Sequence, residues 1–110
     1  MISYWRQGMF VAVYRWKIIE GNEERFRQGW RRRTEEICRR CGSLGSRLHK
    51  AEDGSWVAYA EWPDRRTWEA SARVEVEDKE AAHMMKESVS ERYSGIYLEV
   101  VDDLLQRANV

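Results

Sequence analysis

Asp53-Gly54 lies between two runs of strand character, Ser43 to Glu52 and Ser55 to Trp62. An Asp-Gly pair in that setting is the strongest short-range hairpin signal, because both central positions of a type I′ turn require positive φ. It fixes two neighbouring antiparallel strands and, if the turn has two residues, their register as well. Glu52 then faces Ser55, Lys50 faces Val57, His49 faces Ala58, Leu48 faces Tyr59 and Arg47 faces Ala60. Cross-strand partners share a face of a sheet. That register puts Arg47 and His49 on the side of Trp56, Ala58, Ala60 and Trp62.

Other elements fall into place around the hairpin. Met9 to Ile19 reads MFVAVYRWKII, β-branched and aromatic enough to predict a strand. Glu20-Gly21-Asn22 is a turn with Asn22 as N-cap, and a helix follows from Glu23 to Cys41. Its apolar stripe is Phe26, Trp30, Thr34, Ile37 and Cys41; acidic residues open it, Arg39 and Arg40 close it, and Gly42 stops it. After the hairpin, Pro63-Asp64 ends the strand and Asp64 caps a short helix through Ala72. A charged stretch, Arg73 to Asp78, leads to a second helix predicted over Lys79 to Arg92, with Ala82, Met85 and Val89 as its stripe. Gly95 precedes a last strand, Ile96 to Leu104.

The order is β-α-β-β-α-β, the ferredoxin-like α+β arrangement: an antiparallel sheet with its helices on one face. That topology puts the first and third strands at the centre. Both are apolar on two faces: Phe10, Ala12, Tyr14 and Trp16 oppose Val11 and Val13 in one, and Trp56, Ala58, Ala60 and Trp62 oppose Val57 and Tyr59 in the other. Helices cover one face only. The expectation is a homodimer in which a second copy covers the other, sheet to sheet.

A chain of 110 residues makes one domain, read here as a loose arm over 1–8 and a folded unit over 9–110, with Met9 an alternative start. Formal net charge is zero, so no basic field invites nucleic acid or an anionic membrane. No apolar run approaches the roughly 18 residues of a membrane span, and the first residues lack the apolar core of a signal peptide. Two cysteines without an export signal make the cytoplasm the expected compartment. The one compositional excess is aromatic. Six Trp and five Tyr exceed what a core of this size needs, and fit a pocket, an interface or both.

Small residues (Ala58, Ala60) framed by Trp56, Trp62, His49 and Arg47 leave room for a flat aromatic ligand; they equally suit a closely approaching helix. The run Gly45 to Trp62 followed by Trp68, together with Val11 to Lys17 and its Arg/Glu-rich helix, resembles the antibiotic biosynthesis monooxygenase family over roughly Met9 to Leu104. The resemblance implies a dimeric α+β barrel. It also implies oxygenation of an electron-rich phenol by O₂ with neither metal nor flavin. In the branch that oxidises polyketide phenols, Trp62 matches a strand-ending Trp, Trp68 an aromatic of the following helix, and His49 a His before the turn. An Asn of that branch is Ala58 here. The haem-degrading branch is matched in part, by Trp68 and His83, while Tyr14 stands where its strand-one Asn belongs.

The hairpin register and these matches together give Tyr14 and His49 as catalytic candidates and Trp62, Trp68, Arg47, Ala58, Trp56 and His83 as substrate-binding ones. Each has a plainer alternative: Tyr14, Trp62 and Trp68 as core aromatics, His49 as a solvated side chain, His83 as a surface or core-edge His. Met84 and Met85 read as gap-filling core. Cys38 and Cys41 form a C-x-x-C at the wrong helix end for a reactive thiolate, and two thiols fall short of zinc's four ligands. Arg31-Arg32-Arg33, interleaved with Glu35 and Glu36, reads as a solvated helix face. A non-catalytic dimeric module, binding a small ligand or serving a stress-related role, is the alternative to an enzyme, favoured by Ala58 and by the lack of an evident acid–base pair.

Overall fold

The computed structural model describes residues 9–106; the arm expected over 1–8 lies outside them. Eight elements follow in order: β1 (Phe10–Ile18), α1 (Glu23–Cys41), β2 (Gly45–Lys50), β3 (Trp56–Trp62), α2 (Arg65–Ser71), α3 (Lys79–Ser88), β4 (Val89–Arg92) and β5 (Ile96–Glu99). They build an antiparallel α+β fold with β1 and β3 at the centre of the sheet, β2 on one side, and β4 and β5 both paired with β1 on the other.

Local chemistry accounts for the helix ends. α1 stops at Gly42, which takes φ 79, a left-handed conformation that costs glycine little. Asp64 caps α2 by accepting from the Thr67 N–H at 2.7 Å, and Asp78 caps α3 by accepting from the Ala81 N–H at 3.0 Å. Asn22 precedes α1 but makes no side-chain cap bond. The Glu23 carboxylate instead accepts from the Gly21 N–H.

Three expectations are corrected. The second long helix ends at Ser88 rather than Arg92, and Val89–Arg92 is a strand. The unpaired edge at the end of β1 takes this segment: Ile19 N–H donates to the Ser88 carbonyl at 2.8 Å, and Trp16 to Ile18 pair with Val89 to Arg92. Satisfying that backbone edge outweighs the helical periodicity of the side chains. The last strand is shorter too, ending at Glu99, and a kink at Tyr93 to Gly95 separates it from β4.

The third correction is the hairpin register. Ala51 N–H donates to Ser55 and Gly54 N–H to Ala51, so the loop is Glu52-Asp53-Gly54, with Gly54 at φ 88. No described non-glycine residue has positive φ, so Asp53 avoids the strain that a type I′ turn imposes. Its carboxylate accepts instead from the Ser55 N–H and hydroxyl, at 2.9 and 2.6 Å. The extra residue slips the pairing by one, to Leu48 opposite Ala58, His49 opposite Val57 and Arg47 opposite Tyr59. Arg47 and His49 move to the opposite face.

Between sheet and helices the core forms two clusters. Phe10, Ala12, Ala60 and Trp62 pack with Ile37, Cys41 and Trp68; Trp16, Ile18, Phe26 and Ala58 pack with Trp30, Leu48 and Met85. α1 and α3 approach closely at Gly29, where a methyl group would lie 2.7 Å from the Ala81 carbonyl oxygen. Among the described residues no helix packs on the far face. Val11, Val13, Val57 and Tyr59 lie there with Ile96 and Leu98, which pair with Val13 and Val11 and are 57% and 42% exposed.

Candidate functional site

Trp68, on α2, donates its indole N–H to the Tyr14 hydroxyl on β1 at 3.0 Å. The Trp68 ring packs against Phe10 at 5.0 Å and Tyr97 at 4.6 Å between centroids. Behind this pair, between sheet and helices, is a cavity of about 700 Å³. Its size falls in the range of small-molecule sites. Ala58 and Ala60 line it from β3, where larger side chains would occupy the space. Trp16, Trp30, Ile37, Trp62 and Met85 give it apolar walls, and Ser43, Ser46 and Arg92 add polar groups.

Burial pushes the Tyr14 phenol above its ordinary value. The bond from Trp68 and the charge of Arg92 pull the other way without cancelling that effect. Tyr14 is therefore neutral at pH 7. Its oxygen is occupied as acceptor by Trp68, which leaves its O–H to donate. It can place a hydrogen bond on a ligand oxygen, and it is a poor base. The Trp62 indole N–H is buried with no hydrogen-bond partner among the described residues.

Of the residues expected at a site, Tyr14, Ala58, Trp62 and Trp68 line the cavity together. Four others are elsewhere. Arg47 and His49 lie on the helix-free face because of the register slip, with the His49 Nδ1–H bonded to the Val57 carbonyl at 3.1 Å. Trp56 shares the cavity's side of the sheet but packs against Phe26, with Lys50 over its ring. His83 is exposed on α3 and pairs with Glu87 at 2.9 Å, which leaves no His at the cavity for the haem-degrading arrangement. Cys38 and Cys41 are free thiols. Among the described residues no group of three or more His, Cys, Asp or Glu could hold a metal ion, and no helix is long and apolar enough to cross a membrane.

The supposed solvated face of α1 is the cavity's fastening. Glu36 is 3% exposed and lines the cavity. Its carboxylate accepts from the backbone N–H groups of Glu77 at 2.7 Å and Asp78 at 3.0 Å, and pairs with Arg40 at 2.8 Å and Arg33 at 3.2 Å. Burial disfavours its charge, but the backbone donors and Arg40 and Arg33 outweigh this and hold its pKa at about 2. Arg32 grips Asp78 with two hydrogen bonds, of 2.9 and 2.7 Å, and also reaches Glu80. Together they tie the connector between α2 and α3 onto α1. Sequence reasoning missed Glu36 because its donors are backbone groups some forty positions away. It missed Arg92 because that residue was assigned to a helix.

The sequence model of the antibiotic biosynthesis monooxygenase family matches residues 9–76. SnoaB, a cofactor-independent oxygenase from Streptomyces nogalater, is similar in structure, with a TM-score of 0.72 at 16% identity, over 90% of this chain and 99% of that one. A conserved protein from Methanosarcina mazei is similar with a TM-score of 0.70 at 12% identity, over 86% of this chain and 94% of its own. At such identities the likeness is one of fold. No curated protein sequence matches the chain.

Proposed function

The chain belongs to the antibiotic biosynthesis monooxygenase family, and from that premise we propose that it is a cofactor-independent oxygenase acting on a small aromatic substrate in the cavity between sheet and helices. The observation that carries this is Tyr14: a neutral phenol, held by Trp68, presenting its proton to an aromatic-walled space. An electron-rich phenolate stacked against Trp62 or Trp68 passes one electron to O₂, giving a phenoxyl radical and superoxide. Tyr14 donates to the substrate oxygen, and the walls keep water from the radical pair. For a substrate whose reacting carbon is a CH₂, one oxygen atom ends as the new carbonyl and the other leaves as water with the two hydrogens.

Oxygen uptake with anthrone-type and dihydroxyaromatic compounds under air tests this. Tyr14→Phe slows uptake by about 100-fold, the scale of losing one positioned donor, while KM changes little. Uptake by Tyr14→Phe equal to that of the parent removes Tyr14 from the reaction. A second reading, a ligand-binding module without chemistry, is favoured by the position of His49 on the opposite face, which leaves the cavity without an evident base. Compounds that bind with no uptake across the panel select that reading.

The homodimer rests on the uncovered apolar strip of Val13, Ile96 and Leu98. Fully burying side chains of this kind contributes about 1.5–3 kcal/mol each. Leu98→Glu, already well exposed, should leave the fold intact and convert a two-chain particle into a one-chain particle in sedimentation velocity. An unchanged sedimentation coefficient places the partner elsewhere.

A further inference from the structure

The charges that line the cavity are almost all neutralised within the chain. Arg33 pairs with Glu36, Glu69 with Arg65 at 3.5 Å, and Glu75 with Lys79 at 3.7 Å. Arg92 is different: among the described residues no carboxylate lies within ion-pair distance of its guanidinium. Its place in the sheet turns it toward the cavity. Arg92 pairs across β1 with Trp16 and so shares the helix-covered face, two residues along β1 from Tyr14. The two side chains are near enough for the guanidinium charge to act on the phenol.

Among the described residues the cavity also lacks a histidine and an unpaired carboxylate to serve as a base, Glu69 and Glu75 being paired with Arg65 and Lys79. His49 and His83 are elsewhere, Tyr14 is neutral, and the Glu36 carboxylate is committed to two backbone donors and two arginines. A ligand that must be an anion has to arrive as one or ionise to solvent. An unpaired cation beside an O–H donor stabilises such an anion without taking its proton.

We propose that Arg92 and Tyr14 form an anion subsite at the β4 side of the cavity, and that the ligand is a planar aromatic bearing an acidic oxygen, bound in its ionised form. The proposal rests on the cavity reading above and adds the charge of the ligand to it. A carboxylate on the ring and an ionised phenol present the same chemistry to the subsite.

A matched pair of probes tests it: 2-naphthoate and its neutral counterpart 2-naphthamide, titrated into the whole chain. The indole ¹H–¹⁵N signal of Trp68, assigned by its loss in Trp68→Phe, reports occupancy. Naphthoate is expected to bind about tenfold more tightly than naphthamide, the contribution of one charge-assisted hydrogen bond from an exposed arginine. Arg92→Gln brings the ratio of naphthoate to naphthamide affinity to near one, Arg92→Lys retains most of the preference, and added salt reduces it. The ligand-free position of the Trp68 indole signal, set by its bond to Tyr14, is the check that the cavity of each variant is intact. Equal affinities for the two probes in the parent chain overturn the anion subsite and leave the aromatic cavity standing. Failure of either probe to move the Trp68 signal overturns both. A further arm, with 2-naphthol at a pH above its ionisation, separates the sources: tight naphtholate beside tight naphthoate supports a subsite for either anion, tight naphthoate beside weak naphtholate supports a carboxylate subsite, and weak binding of both overturns it.

Discussion

Glu36→Gln lowers the unfolding free energy by about 3–5 kcal/mol, the scale of removing one partner from a buried charge network. The amide keeps the size of the side chain but turns an NH₂ toward the Glu77 or Asp78 N–H, and it leaves Arg33 and Arg40 without their counter-charge. Urea denaturation at neutral pH measures the loss; a midpoint within error of the parent refutes it. The same carboxylate sets an acid response. Its pKa is lowered on folding, from 4.5 to about 2, so the unfolded chain takes up the proton first as pH falls. Its stabilisation is whole above pH 4.5 and is lost progressively toward pH 2. Between those limits the parent should lose stability more steeply than Glu36→Gln, which has no proton to bind there. Parallel slopes for the two proteins would assign the acid response to other carboxylates.

The second large effect is expected at Gly29. A Cβ there meets the Ala81 carbonyl oxygen at 2.7 Å, Met85 Cγ at 3.0 Å and Met84 Cβ at 3.1 Å. The nearest of these is backbone, which cannot rotate away, so α1 and α3 must separate. Gly29→Val costs about 1–3 kcal/mol through overpacking. Gly29→Ala costs less, because the better helix propensity of Ala returns up to about 1 kcal/mol. Thermal unfolding of both variants ranks them; a Gly29→Val protein as stable as the parent would mean that the helices part without penalty. The effect should extend to ligand binding, since Met85 lines the cavity from α3.

Fold and site differ in how far the sequence reveals them. The span of α1, the capping role of Asp64, and the central places of β1 and β3 follow from local chemistry and from which strands are apolar on both faces. The shared face of Tyr14, Ala58 and Trp62 follows from alternation along those strands, while Trp68 comes from the family resemblance. What failed depended on a single residue or on distant backbone. Asp53-Gly54 marked the hairpin correctly, but three residues rather than two form its loop, and that one position removed Arg47 and His49 from the cavity. The stripe of Ala82, Met85 and Val89 predicted a longer helix because periodicity carries no information about the open edge of β1. Arg32 and Glu36 have the spacing of a solvated face, and their actual partners at 77 and 78 are invisible to any local pattern.

The two sides of the cavity are secured by opposite kinds of force. Beneath it, the sheet side is fixed by buried apolar packing among Phe10, Ala12, Ala60 and Trp62, which excluded osmolytes such as sucrose reinforce. Above it, the segment after α2 is fastened by ionic grips such as Arg32 on Asp78 and Arg39 on Glu77, which simple electrolytes relax. Rising ionic strength should therefore weaken the grips of Arg32 on Asp78 and Arg39 on Glu77 first, while the 3% exposed Glu36 carboxylate keeps its hold on the N–H groups of the same two residues and the sheet beneath is left as it was.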